Sequence, residues 1–391
     1  MSNNKSTRIG QYIKCGQGTE EPYTAYFPTS LPPVPPIEME NLYALLEQAN
    51  TALGRLDSIS VVLPDPSLFL YMYIRKEAVL SSQIEGTQSS LSDLLLFESE
   101  QAAGVPIDDV TEVSCYVTAM NYGLQRLQEL PLSLRLLREI HAKLMSNARG
   151  GRKDPGEFRR SQNWIGGTRP GNAQFVPPPP DRLMESLDAF EKFLHDKSIK
   201  LPILIKAALS HVQFETIHPF LDGNGRLGRL LITFMLCAEG VLKQPLLYLS
   251  LYLKTHRQAY YDHLQSVRAT GDWEGWIEFF LEGIIHTATQ AVTTAKSILD
   301  LFERDRVRIE TSGQSTTTVL GIFNHLQYHP IVNTTMLRQV TGKALPTVLR
   351  ALAVLQKLGI VKEISGRARN RVFMYAEYID VLNDGVEKAN D

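Results

Sequence analysis

Twelve consecutive residues hold a base, an acid, three glycines and two arginines: His218-Pro219-Phe220-Leu221-Asp222-Gly223-Asn224-Gly225-Arg226-Leu227-Gly228-Arg229. A helical pattern runs into His218 and Pro219 stops it. In Asp222-Gly223-Asn224-Gly225 the glycines allow backbone N–H groups to converge on an anion. A second helix begins there, with Leu230, Leu231, Phe234 and Met235 on its apolar face. A loop at a helix N-terminus suits phosphate, because unpaired N–H groups and the helix dipole both favour negative charge. Arg226 and Arg229, three apart, share a face and could clamp two phosphates. Asp222 is a hard oxygen ligand of the kind Mg²⁺ takes, and His218 can accept a proton near neutral pH. This set suits transfer of a phosphate-containing group, where positioning and charge stabilisation do most of the work.

The elements that must position these groups read as helices. Apolar residues recur at helical spacing near 39–56, 67–85, 90–102, 108–128, 133–146, 181–195, 202–215, 224–239, 256–269 and 273–305. Trp164 to Val176, with Gly166, Gly167 and Gly171 at its centre, reads as a hairpin closed by the prolines at 177–180. Residues 1–40 lack periodicity and contain Leu31-Pro32-Pro33-Val34-Pro35-Pro36, which predicts an extended arm. Residues 306–315 are polar and read as a linker. Beyond them the pattern is helix, short helix, longer helix and two strands, a winged helix over 316–378 within a C-terminal unit of 316–391.

The bulk properties narrow the classes. Lys and Arg total 40 against 42 Asp and Glu, so overall charge does not point to nucleic acid. Cys15, Cys115 and Cys237 form no CxxC pair, and neither a disulfide framework nor a zinc site is readable. No run approaches the roughly 20 apolar residues that span a bilayer, and the polar start lacks a signal-peptide pattern. Cytoplasm, with no membrane partner, is the expected setting.

The segment 218–229 is similar to the signature of the Fic family: His-Pro-Phe, a variable residue, an acid, Gly-Asn-Gly-Arg and a second Arg three residues on. Ala208 to Ile217 resembles the helix before that signature. The resemblance implies an all-α Fic core over 41–305 that transfers AMP from ATP to a Ser, Thr or Tyr hydroxyl of protein targets, itself included. It makes His218 the base, Asp222 the holder of Mg²⁺, and Gly223, Asn224 and Gly225 the anion hole. Arg226 and Arg229 would hold the outer phosphates, with Leu227 and Gly228 in the same nucleotide segment. Ser81-Ser82-Gln83-Ile84-Glu85-Gly86, at the end of a helix over 67–86, resembles the family's inhibitory motif. Ser81, Glu85 and Gly86 carry the match, and Glu85 would take Arg229 away from ATP. Gly156 to Arg159 with Trp164 to Phe175 resembles the flap, 156–180, over which a target segment docks by β-augmentation. Tyr260 and Tyr261 resemble residues beside the adenine, although as residues alone they read as half-buried packing groups. Removal of AMP is a second reading within enzymes.

The C-terminal unit is locally basic. From Ile331 to Tyr375 stand Arg338, Lys343, Arg350, Lys357, Lys362, Arg367, Arg369 and Arg371 against the single acid Glu363. DNA is the expected partner of such a face, and a protein or a second copy of the chain is the alternative. A DNA-binding regulator with a Fic core as sensor is the rival from another class.

Overall fold

The computed structural model describes residues 6–18, 21–62, 66–98, 107–146, 154–367 and 369–384. Two antiparallel strands come first, β1 (Gln11–Cys15) and β2 (Tyr23–Phe27), with Gln11 opposite Phe27 and Cys15 opposite Tyr23. The expected extended arm is corrected here to a hairpin. Its strands are five residues each, too short for alternation to announce them, and aromatic pairing holds them, Tyr12 against Tyr26 at 5.3 Å. The proline stretch that follows is tied to the body by Arg8, which donates to Pro35 O at 2.8 Å and pairs with Glu274 at 2.7 Å.

Among the described residues eleven α-helices follow: α1 (Tyr43–Val62), α2 (Pro66–Ile84), α3 (Leu91–Glu98), α4 (Ile107–Arg126), α5 (Leu134–Leu144), α6 (Leu183–His195), α7 (Ile203–Ile217), α8 (Asn224–Ala238), α9 (Ser250–Thr255), α10 (Arg257–Thr270) and α11 (Trp273–Thr311). Ten lie where the apolar spacing predicts them. The one-turn α9 has no such signal, since six residues give no period. At the centre α7 packs on α8. Every residue of α7 except Ile203 and Lys206 is buried, the polar Ser210, His211, Gln213, Glu215 and Thr216 included, so α7 lies inside the fold. On one side α1 lies along α11, and Trp276 of α11 donates to Ala208 O of α7 at 2.9 Å.

The expected linker over 306–315 is a second correction, because α11 continues to Thr311. The stretch looks polar, yet its inward face is not. Ile309 is fully buried, and Asp305 is buried with Tyr375 donating to it at 2.7 Å and Arg308 at 2.8 Å. The chain breaks at Gly313, whose φ of +68° is costly for any other residue.

The remainder forms α12 (Thr317–Tyr328), β3 (Ile331–Asn333), α13 (Thr334–Thr341), α14 (Leu345–Lys357), β4 (Lys362–Glu363), β5 (Val372–Met374) and α15 (Ala376–Asn383). The sheet is antiparallel in the order β3-β5-β4. Neither β3 nor α15 is expected from the sequence pattern. This unit rests on α2: the rings of Tyr71 and His329 meet edge to face at 5.5 Å, and Lys76 Nζ donates to Asp384 O at 3.3 Å. Among the described residues no helix is long and apolar enough to cross a membrane.

Candidate active site

The loop between α7 and α8 is built by its own residues. His218 caps α7 in the left-handed conformation, φ 49° and ψ 60°, uncommon for a side chain with a Cβ, so surrounding bonds must hold it. They do. Arg159 Nε and Asn163 Nδ2 donate to His218 O at 2.9 and 3.2 Å, and Arg159 N–H donates to Pro219 O at 2.9 Å. Asn224 then closes the loop on itself. Its Oδ1 accepts from Phe220 N–H at 2.9 Å and its Nδ2 donates to Phe220 O at 2.8 Å. The Asn224 side chain is thus spent on shaping the loop, and only its backbone remains for an anion.

His141 of α5 fixes the acidic position. Its ring stacks on Phe220 at 3.8 Å, and Nδ1 accepts from Gly156 N–H at 2.8 Å. The proton of the neutral ring is therefore on Nε2, which donates to Asp222 O at 2.9 Å. Burial pushes His141 down to about 4, which keeps it neutral. The Asp222 carboxylate remains 36% exposed, accepts from Gly223 N–H at 2.7 Å and lies 3.6 Å from Arg226. Gly223, expected to offer its amide to an anion, has given it to Asp222. The first bond within α8 joins Leu227 N–H to Gly223 O, so the amides of Asn224, Gly225 and Arg226 stand at the helix end.

The two arginines are not a shared clamp in this conformation. Arg226 pairs with Glu112 of α4 at 2.5 Å and contacts Met145 Sδ at 3.7 Å. Arg229 turns to α2, where its Nε and Nη2 donate to Ser81 Oγ and Ser81 O at 2.8 Å each and Nη2 meets Glu85 Oε1 at 2.6 Å. Gly86, φ +105°, ends α2 and lets Glu85 lean over the loop. A Cβ on Gly225 would stand 2.2 Å from Glu85 Oε1. The Glu85 carboxylate therefore lies on the bare backbone of the helix end.

His218 has a side chain 19% exposed, so a substrate group can reach it. Its Nδ1 faces Glu215 O at 3.3 Å. A carbonyl only accepts, so the ring proton sits on Nδ1 and Nε2 keeps its lone pair. Burial, and then the charge of Arg268, pushes its pKa down to about 4.

Leu227 and Gly228 do not meet the expectation of a nucleotide-lining pair. Leu227 is fully buried, while Gly228 O takes His211 Nδ1 at 2.9 Å and its Cα abuts Glu215. Tyr260 is also turned inward, bonded to His211 at 2.9 Å, and Tyr261 is the partly exposed member of the pair. The hairpin over 164–176 reduces to one bridge, Ile165 opposite Phe175, with a turn at Pro170–Asn172. The positive φ of Gly166 and Gly167 and the bonds from Thr168 and Arg169 N–H to Asn172 Oδ1 curl the tip out of strand geometry.

Sequence reading missed His141, Arg159, Asn163, Glu215 and Arg268. Glu215 is buried beside His218, with Oε2 3.9 Å from Nδ1 and Oε1 unbonded, and burial pushes it up to about 7. Its signal was its place three residues before His218, on the helix that leads into the loop. The others lie 45 or more residues from the loop in sequence and carried none.

Two family models match the chain: "Fic/DOC family N-terminal" over residues 43–125 and "Fic/DOC family" over 131–236. Among curated proteins, the chain is 32% identical over 245 residues to "Protein adenylyltransferase Fic" of Aedes aegypti, covering 61% of this chain and 45% of that one. With the protein of the same name from Culex quinquefasciatus it shares 33% over 207 residues, covering 51% and 38%. The chain thus spans less than half the length of these relatives. In fold it is similar to a Fic family protein from Desulfovibrio desulfuricans, with a TM-score of 0.55 and 20% identity over 87% of this chain and 97% of that one. A Fic domain containing signaling protein from Bacteroides thetaiotaomicron gives 0.50 at 20% identity over 64% of this chain and 98% of that one. The loop and the helices that carry it thus lie within Fic/DOC family regions, the N-terminal one over residues 43–125 and the second over 131–236.

Proposed function

We propose that the chain is a protein adenylyltransferase that moves AMP from ATP to a protein hydroxyl and is held back by Glu85. The observation that carries this reading is the pairing of a neutral, reachable His218 with the amide end of α8. The hydroxyl gives its proton to His218 Nε2 and its oxygen attacks the α-phosphorus. The bond to the bridging oxygen breaks and pyrophosphate leaves. The amides of Asn224, Gly225 and Arg226 receive the phosphates. Arg229 joins them once Glu85 withdraws. The donor set near the loop suits Mg²⁺: Asp222 is a part-exposed carboxylate, and Mg²⁺ commonly takes one or two carboxylates and fills its shell with phosphate oxygens and water. When bound, the ion supplies charge neutralisation of the phosphates. The target segment lies along 164–176, held by backbone bonds. Incubation with ATP labelled at the α-phosphorus should label protein bands, and ATP labelled at the γ-phosphorus should not. Label from the γ position would make the chain a phosphotransferase.

Residues 316–384 form, on this reading, a winged helix that binds duplex DNA. Arg338, Lys343, Arg350, Lys357, Lys362, Arg367 and Arg369 are all exposed. Arg371 is half-buried and pairs with Glu363 at 2.8 Å. Changing Arg367 and Arg369 to Ala in the full chain should weaken binding equally across duplex sequences. For every arginine–phosphate pair removed, the salt slope in anisotropy titrations should flatten by about one unit. No binding at low salt would leave this unit as a protein-interaction module.

A further inference from the structure

Arg268, in the last turn of α10, is 6% exposed and forms no ion pair within 4.0 Å among the described residues. Burying a guanidinium is expensive unless its donors are met. Here one of five is met: Nε donates to Thr216 Oγ1 at 3.1 Å. The plane is supported by Phe175, whose ring centre is 4.0 Å from Cζ. Phe175 belongs to the 164–176 segment and also packs on Tyr26 of β2 at 5.8 Å, with the exposed ring of Tyr12 behind it. The two terminal nitrogens have no hydrogen-bond partner among the described residues, while a small part of the residue still meets solvent. The charge of Arg268 acts on His218, two residues after Thr216, so the guanidinium lies near the base.

We propose that Arg268 selects the acceptor: its guanidinium binds a carboxylate carried by the target segment beside the hydroxyl to be modified. This rests on the adenylyltransferase reading above. Three observations favour a ligand role over a structural one. The guanidinium fork is held by a stack on one face and one bond at Nε, which leaves the two parallel donors that match a carboxylate. Glu215, the carboxyl whose charge acts on Arg268, does not pair with it, and burial pushes that carboxyl up to about 7, so it balances the cation only in part. The supporting ring comes from the segment on which the target docks, so an occupant there brings its side chains to the fork. A phosphate of ATP offers similar chemistry, but the amide end of α8 and Arg229 already serve it.

The test uses the full chain with Glu85→Gly and two peptides that share a Tyr acceptor, one flanked by Glu and one by Gln. Transfer to the Glu-flanked peptide should have a kcat/KM about tenfold higher or more, the worth of one charge-assisted hydrogen bond. The advantage should shrink as salt is raised. Adding Arg268→Gln should bring the ratio to about one without changing KM for ATP, and Arg268→Lys should recover part of it. If the Arg268 variants do not fold, the ratio and its salt dependence in the Glu85→Gly chain still decide. Equal rates on the two peptides overturn the inference while self-labelling keeps the parent reading. A rise in KM for ATP in Arg268→Gln assigns the fork to nucleotide phosphate and overturns it too. Label on no protein or peptide sinks the parent reading and this one together.

Discussion

His218→Ala is expected to abolish AMP transfer, lowering kcat by on the order of 10²–10⁴, the usual contribution of a general base. ATP affinity should be nearly unchanged. Among the described residues the ring bonds to Glu215 O alone, while the loop is held by His141, Arg159, Asn163 and Asn224. Arg159 and Asn163 grip the backbone carbonyl of residue 218, which an alanine retains, although its left-handed φ will cost the variant some stability. Isothermal titration with a non-hydrolysable ATP analogue separates the two effects. The pH profile of kcat/KM adds a second check. Burial pushes His218 down to about 4, and only the neutral ring accepts a proton. The acid limb due to this residue should therefore fall near pH 4, with no inflection from it near 6.5, where an exposed histidine titrates. Undiminished transfer by the variant would remove His218 from the mechanism.

What the sequence reveals of this site depends on how far apart its parts lie. The loop could be read because a proline stop, three glycines, an acid and two arginines stand within twelve residues, each with a local physical reason. Glu85 could be read because helix spacing puts it on one face with Ser81, and the structure brings both onto Arg229. Distance along the chain hid the rest. His141 acts on Asp222 across 81 residues, and Arg159 on His218 across 59. Nothing near either residue differs from an ordinary helix face or loop. Periodicity found the long helices and failed where elements are short, as in β1, β2, β3 and α9. It failed again where a polar run conceals a buried face, as at Asp305 and Ile309 of α11. Arg226 shows the limit of spacing arguments. Three residues from Arg229 on one helix, it answers to Glu112 on α4 while Arg229 answers to Glu85 on α2.

Glu85→Gly is expected to raise self-labelling and transfer by on the order of 10–100-fold, because the variant frees both the cation and the surface that ATP must use. The carboxylate meets Arg229 at 2.6 Å and lies where a Cβ on Gly225 would be only 2.2 Å away, so it covers the amide end of α8 as well as pairing with the arginine. A phosphate cannot occupy that place while Glu85 does. Breaking a charge-assisted hydrogen bond of this kind costs about 1.5–3 kcal/mol, which converts to roughly the factor stated. Glu85→Gln keeps the size and loses the charge, so it should fall between wild type and the glycine variant. Arg229→Ala should not activate, since it removes the phosphate ligand together with its inhibitor. Stability offers an independent reading. Without Glu85, Arg229 loses its one ion pair among the described residues and keeps two bonds to Ser81, a buried cation with weaker charge balance. The glycine variant should therefore melt below wild type without ligand and gain more from Mg-ATP, in proportion to its tighter binding. Equal labelling by wild type and Glu85→Gly across ATP and Mg²⁺ concentrations would show that the pair between α2 and α8 is structural.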